Sequence, residues 1–391
     1  MKKVAVLVCA LALLSGGCAD LGNAPTDPPP LSEELRAELA NWLAANGKPP
    51  HDYVVGLFTG HDVVFLGEQH RVRHDVEFVG AQIGPLYDAG VRVLATEFGR
   101  REDQPLIDSL LAKPQWDDAL AREIVFRQFV WWGYREYVDV YKSAWTLNQH
   151  LPKGAQRFRI IGVNDSPDWS YIGDEGDRDD PSVMRRIWQG GGEDHWAEAI
   201  LEAVRSGEKV LVHCGIHHAF TAYRQPIVAD GRFIRFDSSL RCGNHVHAEL
   251  GERVATVYLH APWVGPDGYG SSFRHPADGV IDALMLEEGP RPVGFDVVGS
   301  PFGEIRIADA VYRHGYEDFR LKDFCDGWIY TRPISQYVGV TPIPDWIKED
   351  NLARARSQSP DPRYREASSE EFNASIAEAA RIDRRWGSKL R

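Results

Sequence analysis

Cysteine is scarce in this chain, with five in 391 residues, and two of the five lie within the first eighteen. Beyond them stand Cys214, Cys242 and Cys325, an odd number that permits at most one internal disulfide. Cys242–Cys325 is the expected pair, because Cys214 falls inside a candidate site. Positive charge is in deficit as well. The 44 Lys and Arg face 57 Asp and Glu, a net charge of −13, which excludes the clustered basic surface that nucleic acid binding needs. Several catalytic signatures are missing: no Gly-x-x-x-x-Gly-Lys-Ser/Thr, no Gly-x-Gly-x-x-Gly after a strand and no His-Glu-x-x-His. Gly268-Tyr269-Gly270-Ser271-Ser272 is not the Gly-x-Ser-x-Gly of a serine nucleophile elbow. There is no internal repeat of fixed period, and no proline-rich or charge-rich linker within residues 50–340.

What is present is enough for a large core, at 43% apolar and 11% aromatic residues. The first residues read as an export signal: Lys2 and Lys3, the apolar stretch from Val4 to Leu14, then Ser15, Gly16 and Gly17 before Cys18. The apolar stretch is too short to span a bilayer. This segment resembles a bacterial lipoprotein signal, in which the cysteine becomes the lipidated first residue. The resemblance implies cleavage after residue 17, lipidation of Cys18 and an anchor in the cell-envelope membrane. Loss of residues 1–17 removes two lysines and no acid, leaving a net charge of −15. Residues 18–30, ending in Pro28-Pro29-Pro30, read as an extended tether. Residues 31–345 then read as one α/β domain, and residues 346–391 as a charged tail of exposed helices.

The domain is organised around Val63-Val64-Phe65-Leu66-Gly67-Glu68-Gln69-His70, an apolar run that stops at a glycine, a carboxylate and an imidazole. Such a run suits a strand buried on both faces, as in parallel sheets covered by helices. Further strands are expected over 91–97, 158–163, 209–215, 254–260, 293–298 and 327–330. Helices are expected from Ser32, as a hydroxyl cap, to about Asn46, and over 72–87, 104–111, 116–130, 134–150 and 193–206. Tyr137, Tyr141 and Trp145 in the fifth of these, four apart, suit core packing. The acidic stretch from Asp174 to Asp180 reads as a solvated loop. The expected architecture is a mainly parallel central sheet flanked by helices, with its site beyond the carboxyl ends of the strands.

Imidazoles and carboxylates recur at those ends: Glu68 and His70, Glu97, Asn164 and Asp165, His213 and His218, and His260. Gly215-Ile216-His217-His218 repeats the Gly-x-x-His spacing of Gly67 to His70, with His217 expected to point elsewhere. A carboxylate that orients a histidine raises its basicity and lets it take a proton from water. The same groups suit a divalent metal, for which His70, His74, Glu97 and His218 are the candidate ligands, His70 and His74 being four apart at the start of a helix.

At these residues the chain resembles the superfamily that joins erythromycin esterase-like hydrolases, ChaN-like haem-binding lipoproteins and Tiki/TraB-type proteins. The resemblance spans residues 62–330. It implies an α/β sheet fold with both histidines and the acids in one pocket, and three chemistries: metal-free His/Glu activation of water, metal-dependent peptide cleavage, or haem binding. Two functions follow as expectations. One is an exported hydrolase acting on an ester or amide bond of a small molecule or peptide, with His70 as general base, Glu68 and Glu97 orienting it and the water, and His218 stabilising the oxyanion. The other is a tethered receptor for haem or a metal using the same pocket.

Overall fold

The computed structural model describes residues 27–391 except 175, 178, 179, 190, 230, 269–271, 388, 389 and 391. The signal segment, Cys18, most of the tether and the centre of Gly268-Tyr269-Gly270-Ser271-Ser272 therefore lie outside the described residues.

Eleven strands form among the described residues: β1 (Val63–Glu68), β2 (Val93–Arg100), β3 (Arg159–Asn164), β4 (Val210–Gly215), β5 (Pro226–Ala229), β6 (Arg232–Phe236), β7 (Val254–Leu259), β8 (Trp263–Val264), β9 (Phe273–Arg274), β10 (Val293–Asp296) and β11 (Gly327–Tyr330). Seven make one sheet in the order β10-β11-β7-β1-β4-β2-β3, all neighbours parallel except the edge pair of β10 and β11. The α/β class, the parallel sheet and the flanking helices thus agree with the sequence reading. β5 with β6 and β8 with β9 are small antiparallel pairs within the Gly- and Pro-rich half, where no strand was expected.

Strand β1 is buried along its whole length. Its alternation divides the core in two, because successive side chains point to opposite faces. Val63 and Phe65 join one apolar cluster with Trp196 and Ile200 of helix Glu193–Arg205, and Val64 and Leu66 join another with Val79 and Ile83 of helix Arg73–Asp88. Full burial of each such side chain is worth about 1.5–3 kcal/mol. Helix Glu33–Asn46 is capped as read, the Ser32 hydroxyl accepting from Leu35 N at 3.2 Å.

Two expectations fail. Cys214, Cys242 and Cys325 are all free and buried, so the expected Cys242–Cys325 bridge is absent. Cys242 opens helix Cys242–Leu250, whereas Cys325 sits just before β11. Nor is the tail an exposed appendage. Its helices Glu349–Ser357, Ser369–Ala379 and Ile382–Trp386 pack onto the body through buried Leu352, Phe372, Ile376, Ile382 and Trp386. Charge on the outer faces of these helices conceals an apolar face at three- and four-residue spacing.

Candidate active site

The parallel register sets Glu68, at the end of β1, beside Gly215, at the end of β4. Both Gly-x-x-His segments therefore leave the sheet side by side, and their glycines serve close approach. A Cβ on Gly67 would come within 2.5 Å of Ile216 Cδ1 and 3.0 Å of Ile216 Cα. On Gly215 it would meet His70 Cε1 at 2.7 Å and Nε2 at 2.8 Å, so the imidazole occupies the space of the missing side chain. Gly215 has φ −59° and ψ 143° and needs no left-handed backbone.

Glu68 is the hub beneath the site. Its buried carboxylate accepts from Tyr137 Oη at 2.6 Å, pairs with His70 Nδ1 at 2.9 Å through the same oxygen, and holds His213 Nε2 at 2.7 Å through the other. Burial alone would raise the Glu68 pKa, but the charge and hydrogen bonds of His213, then of His70, outweigh it and hold the carboxyl well below the usual range. Burial, and then Glu68, push the Tyr137 phenol far up, so it stays a donor. Tyr137 also accepts from Arg71 N at 3.0 Å, which pins the loop carrying His70. With Nδ1 donating to Glu68, His70 presents Nε2 as an acceptor toward the cavity.

Glu97, on β2, stands opposite. Its Oε2 accepts from Gly215 N at 2.7 Å, and its Oε1 lies 3.8 Å from His70 Nε2 and 3.6 Å from His218 Nε2. His218 is held from behind by Glu193, whose Oε2 is 3.0 Å from Nδ1. Glu193 opens its helix and also accepts from Arg241 Nη1 at 2.9 Å and Cys242 N at 2.8 Å. Burial depresses the His218 pKa, but Glu193 and then Glu97 prevail and raise it above the ordinary imidazole value. The Glu193 carboxyl, although raised by burial, is brought down to about 2 by His218 and Arg241. The two carboxylates around His218 thus favour its protonated form, whereas His70 has a carboxylate in close contact only at Nδ1.

These groups line a cavity of about 290 Å³, which includes Glu68, His70, Glu97, His217 and His218, the aromatics Phe129, Trp132, Trp169, Trp188 and Trp196, and Arg385 from the tail. Trp132 packs edge-on to His70 with ring centres 5.0 Å apart. Trp196 packs on His218 at 4.6 Å. Asn164 and Asp165, at the end of β3, reach the same cavity, Asn164 Nδ2 donating to the Glu97 carbonyl at 3.2 Å. His217 lines the cavity rather than pointing away, with Nε2 3.2 Å from Tyr312 Oη.

Two sequence candidates stand elsewhere. His260 is buried between Asp282, 3.1 Å from its Nε2, and the indole N–H of Trp328, which donates to its Nδ1 at 3.2 Å. His74 does not share a face with His70, because the helix begins only at Arg73 and Arg71 breaks the backbone with φ +75°. His74 is buried against Tyr337 and next to Asp75, and burial followed by the charges of Arg332 and His260 brings its pKa down to about 3. Among the described residues, no group of three or more His, Cys, Asp or Glu is placed to hold a metal ion. The ligand set His70, His74, Glu97 and His218 is therefore not assembled, as His74 is missing from it.

Sequence reasoning missed Tyr137, Glu193, Arg241, Trp132 and Arg385. The one available signal was Glu193, an acid at the head of a helix of strong apolar periodicity, where a carboxylate is favoured.

No protein-family model matches the sequence, and no curated protein matches it. Solved structures do share the fold. A succinoglycan biosynthesis protein superposes over 80% of this chain and 99% of its own, with a TM-score of 0.50 and 8% identity. The erythromycin esterase EreC in its open conformation matches 72% of this chain and 93% of its own, with a TM-score of 0.46 and 10% identity. ChaN of Campylobacter jejuni, described with cofacially bound haem, matches 56% and 89%, with a TM-score of 0.37 and 13% identity. At 8% identity the likeness to the succinoglycan biosynthesis protein is one of fold alone.

Proposed function

We propose that this chain is a hydrolase that activates water at a His/Glu site for attack on an ester or amide bond. The observation that carries the reading is the opposed pair of imidazoles: His70 and His218 turn their Nε2 atoms toward one Glu97 oxygen, at 3.8 Å and 3.6 Å, and each has its Nδ1 held by a separate carboxylate. His70 Nε2 takes a proton from water while Glu68 stabilises the imidazolium that forms. Glu97 orients the water, and the His218 imidazolium donates to the oxyanion that develops on the carbonyl. Loss of a general base costs about 10²–10⁴ in rate. Loss of one oxyanion donor costs about 10²–10³.

The rival reading, a haem receptor, draws on the tryptophan-lined cavity beside two histidines. One preparation separates the two. The purified protein is screened against ester and peptide substrates and titrated with haem. Turnover that falls at least a hundredfold in His70→Ala supports the hydrolase. No turnover of any substrate, together with a Soret shift at one equivalent of haem, overturns it.

Export and lipidation at Cys18 belong to the same proposal and rest on Lys2, Lys3, the apolar run and Ser15-Gly16-Gly17. Cys18→Ser moves the protein from the membrane to the soluble exported fraction. Wild type already soluble outside the cytoplasm would remove the lipid anchor from the reading.

A further inference from the structure

Each acid of the cavity wall has at least one partner, although Asp165 Oδ2 is buried without a hydrogen bond. Glu68 has His70, His213 and Tyr137, Glu97 has the Gly215 amide and two imidazoles, Glu193 has His218 and Arg241, and Asp165 lies 3.4 Å from His195 Nδ1. One cation of the lining is not so paired. Arg385, on helix Ile382–Trp386, reaches the cavity with its Nη1 fully covered and without a hydrogen-bond partner. No carboxylate among the described residues pairs with it, and the face of Phe273, 5.6 Å from its Cζ, is the aromatic surface beneath it. A second guanidinium adds to this field. Arg71 donates from Nε to Tyr134 Oη at 2.9 Å and lies over the rings of Trp132 and Tyr134, again without a carboxylate. Burial, and then repulsion from Arg71, bring the Arg385 pKa down to about 10.

A guanidinium left uncompensated in a chain of net charge −13 is costly unless an anion completes it. The Nη atoms of an arginine form a fork that matches carboxylate and phosphate oxygens two at a time. Such an anion would enter through the cavity that also holds His70 and His218.

We propose that Arg385 is an oxyanion-recognition subsite of this cavity, so that the molecule acted on carries a carboxylate or phosphate group at a distance from its scissile bond. The proposal deepens the hydrolytic reading and rests on its choice of cavity. Substrate binding then draws on a charge pair remote from the reacting carbonyl, and the tail helix that carries Arg385 becomes part of the specificity machinery.

The test is a tryptophan fluorescence titration of the full-length protein with inorganic phosphate and, separately, succinate, at constant ionic strength made up with sodium chloride. Wild type and His70→Ala should bind one of the two anions with affinities within about threefold of each other, and the tighter anion names the group. Arg385→Gln should weaken that binding at least tenfold. Its melting temperature should not fall, since the change removes an unpaired charge. Arg385→Lys, which keeps the charge but loses the fork, should weaken binding severalfold and covers the case in which the glutamine variant does not fold. Binding of neither anion by wild type, or wild-type affinity in a folded Arg385 variant, overturns the subsite. The two proposals fail separately. Anion binding that depends on Arg385 without any turnover leaves the subsite and removes the hydrolase, whereas turnover that needs His70 but ignores Arg385 does the reverse.

Discussion

Replacing Gly215 with alanine tests whether the position of the His70 ring, rather than its mere presence, sets activity. The backbone at Gly215 is in the extended region that alanine adopts without strain, and its N–H can keep its 2.7 Å bond to Glu97. The whole cost therefore falls on what the new methyl meets, which is the His70 ring at 2.7–2.8 Å. An ordinary contact needs roughly 1 Å more, and the ring can yield only by leaving its rotamer or its Glu68 bond. An off-rotamer side chain costs about 0.5–1.5 kcal/mol. A displacement of about 1 Å at a reacting group costs on the order of 10²-fold in rate. Gly215→Ala should thus lose about a hundredfold in kcat/KM on the best ester substrate while its urea midpoint corresponds to a loss of only about 1 kcal/mol. Gly67→Ala is the contrast, since its methyl would press on the Ile216 backbone. Overpacking of that kind costs about 1–3 kcal/mol of stability. Wild-type kcat/KM in a folded Gly215→Ala protein would refute the argument that this glycine exists to admit the imidazole.

Three further outcomes are expected. His70→Ala and His218→Ala should each reduce turnover at least a hundredfold, and the double variant should lose little more than the worse single one, because residues acting as a unit are not additive; independent, additive losses would mean two separate sites. The raised His218 pKa fixes a sign: its proton stabilises the fold fully below the ordinary value of 6.5 and that contribution is lost as pH rises through the raised value. His218→Gln should therefore flatten the alkaline decline of the melting temperature, and an unchanged slope would place the titration elsewhere. Tyr137→Phe removes a donor to Glu68 and an acceptor for Arg71 N, both buried. It should cost about 1–3 kcal/mol in urea unfolding and lower turnover as well, whereas a loss of stability with unchanged turnover would make Tyr137 a packing residue alone.

The strand-end half of the site was legible because one-dimensional pattern determines it. A run buried on both faces must end at polar residues, and in a parallel sheet those ends share a rim, which is why Glu68, His70, Glu97 and His218 could be named together. His74 was placed with them on helical spacing, but spacing counts only inside a helix, and the helix starts at Arg73. Tyr137 was read as core, which it also is, since it is 1% exposed. That its hydroxyl meets Glu68 depends on how helix Arg135–His150 crosses the sheet, and no periodicity reports a crossing. The tail misled for a different reason. Its interleaved Arg and Glu read as solvated faces, and only the return of helix Ile382–Trp386 to the cavity gives Arg385 a role.

The arrangement of the carboxylates explains why two histidines with the same spacing motif are not interchangeable. His70 has one close carboxylate, Glu68, and Glu68 divides its charge among His70, His213 and the Tyr137 hydroxyl. Its Nε2 is 3.8 Å from Glu97, beyond a direct hydrogen bond, and a water or substrate atom could bridge the two from the side. His218 has a carboxylate at each nitrogen, 3.0 Å to Glu193 and 3.6 Å to Glu97, and both favour its protonated form. In the proposed hydrolase, proton acceptance would therefore fall to His70 and charge stabilisation to His218. Glu97 Oε1 faces both, and in the proposed reaction the reacting atoms would gather there. The three acids are linked through the two imidazoles, Glu68 and Glu97 by His70 and Glu97 and Glu193 by His218. β1, β2 and the helix that precedes β4 supply one each. Since β4 lies between β1 and β2 in the sheet, this order of strands, rather than either motif alone, sets the second Gly-x-x-His between Glu97 and Glu193, and on the proposed reading that is what would make it an electrophile instead of a second base.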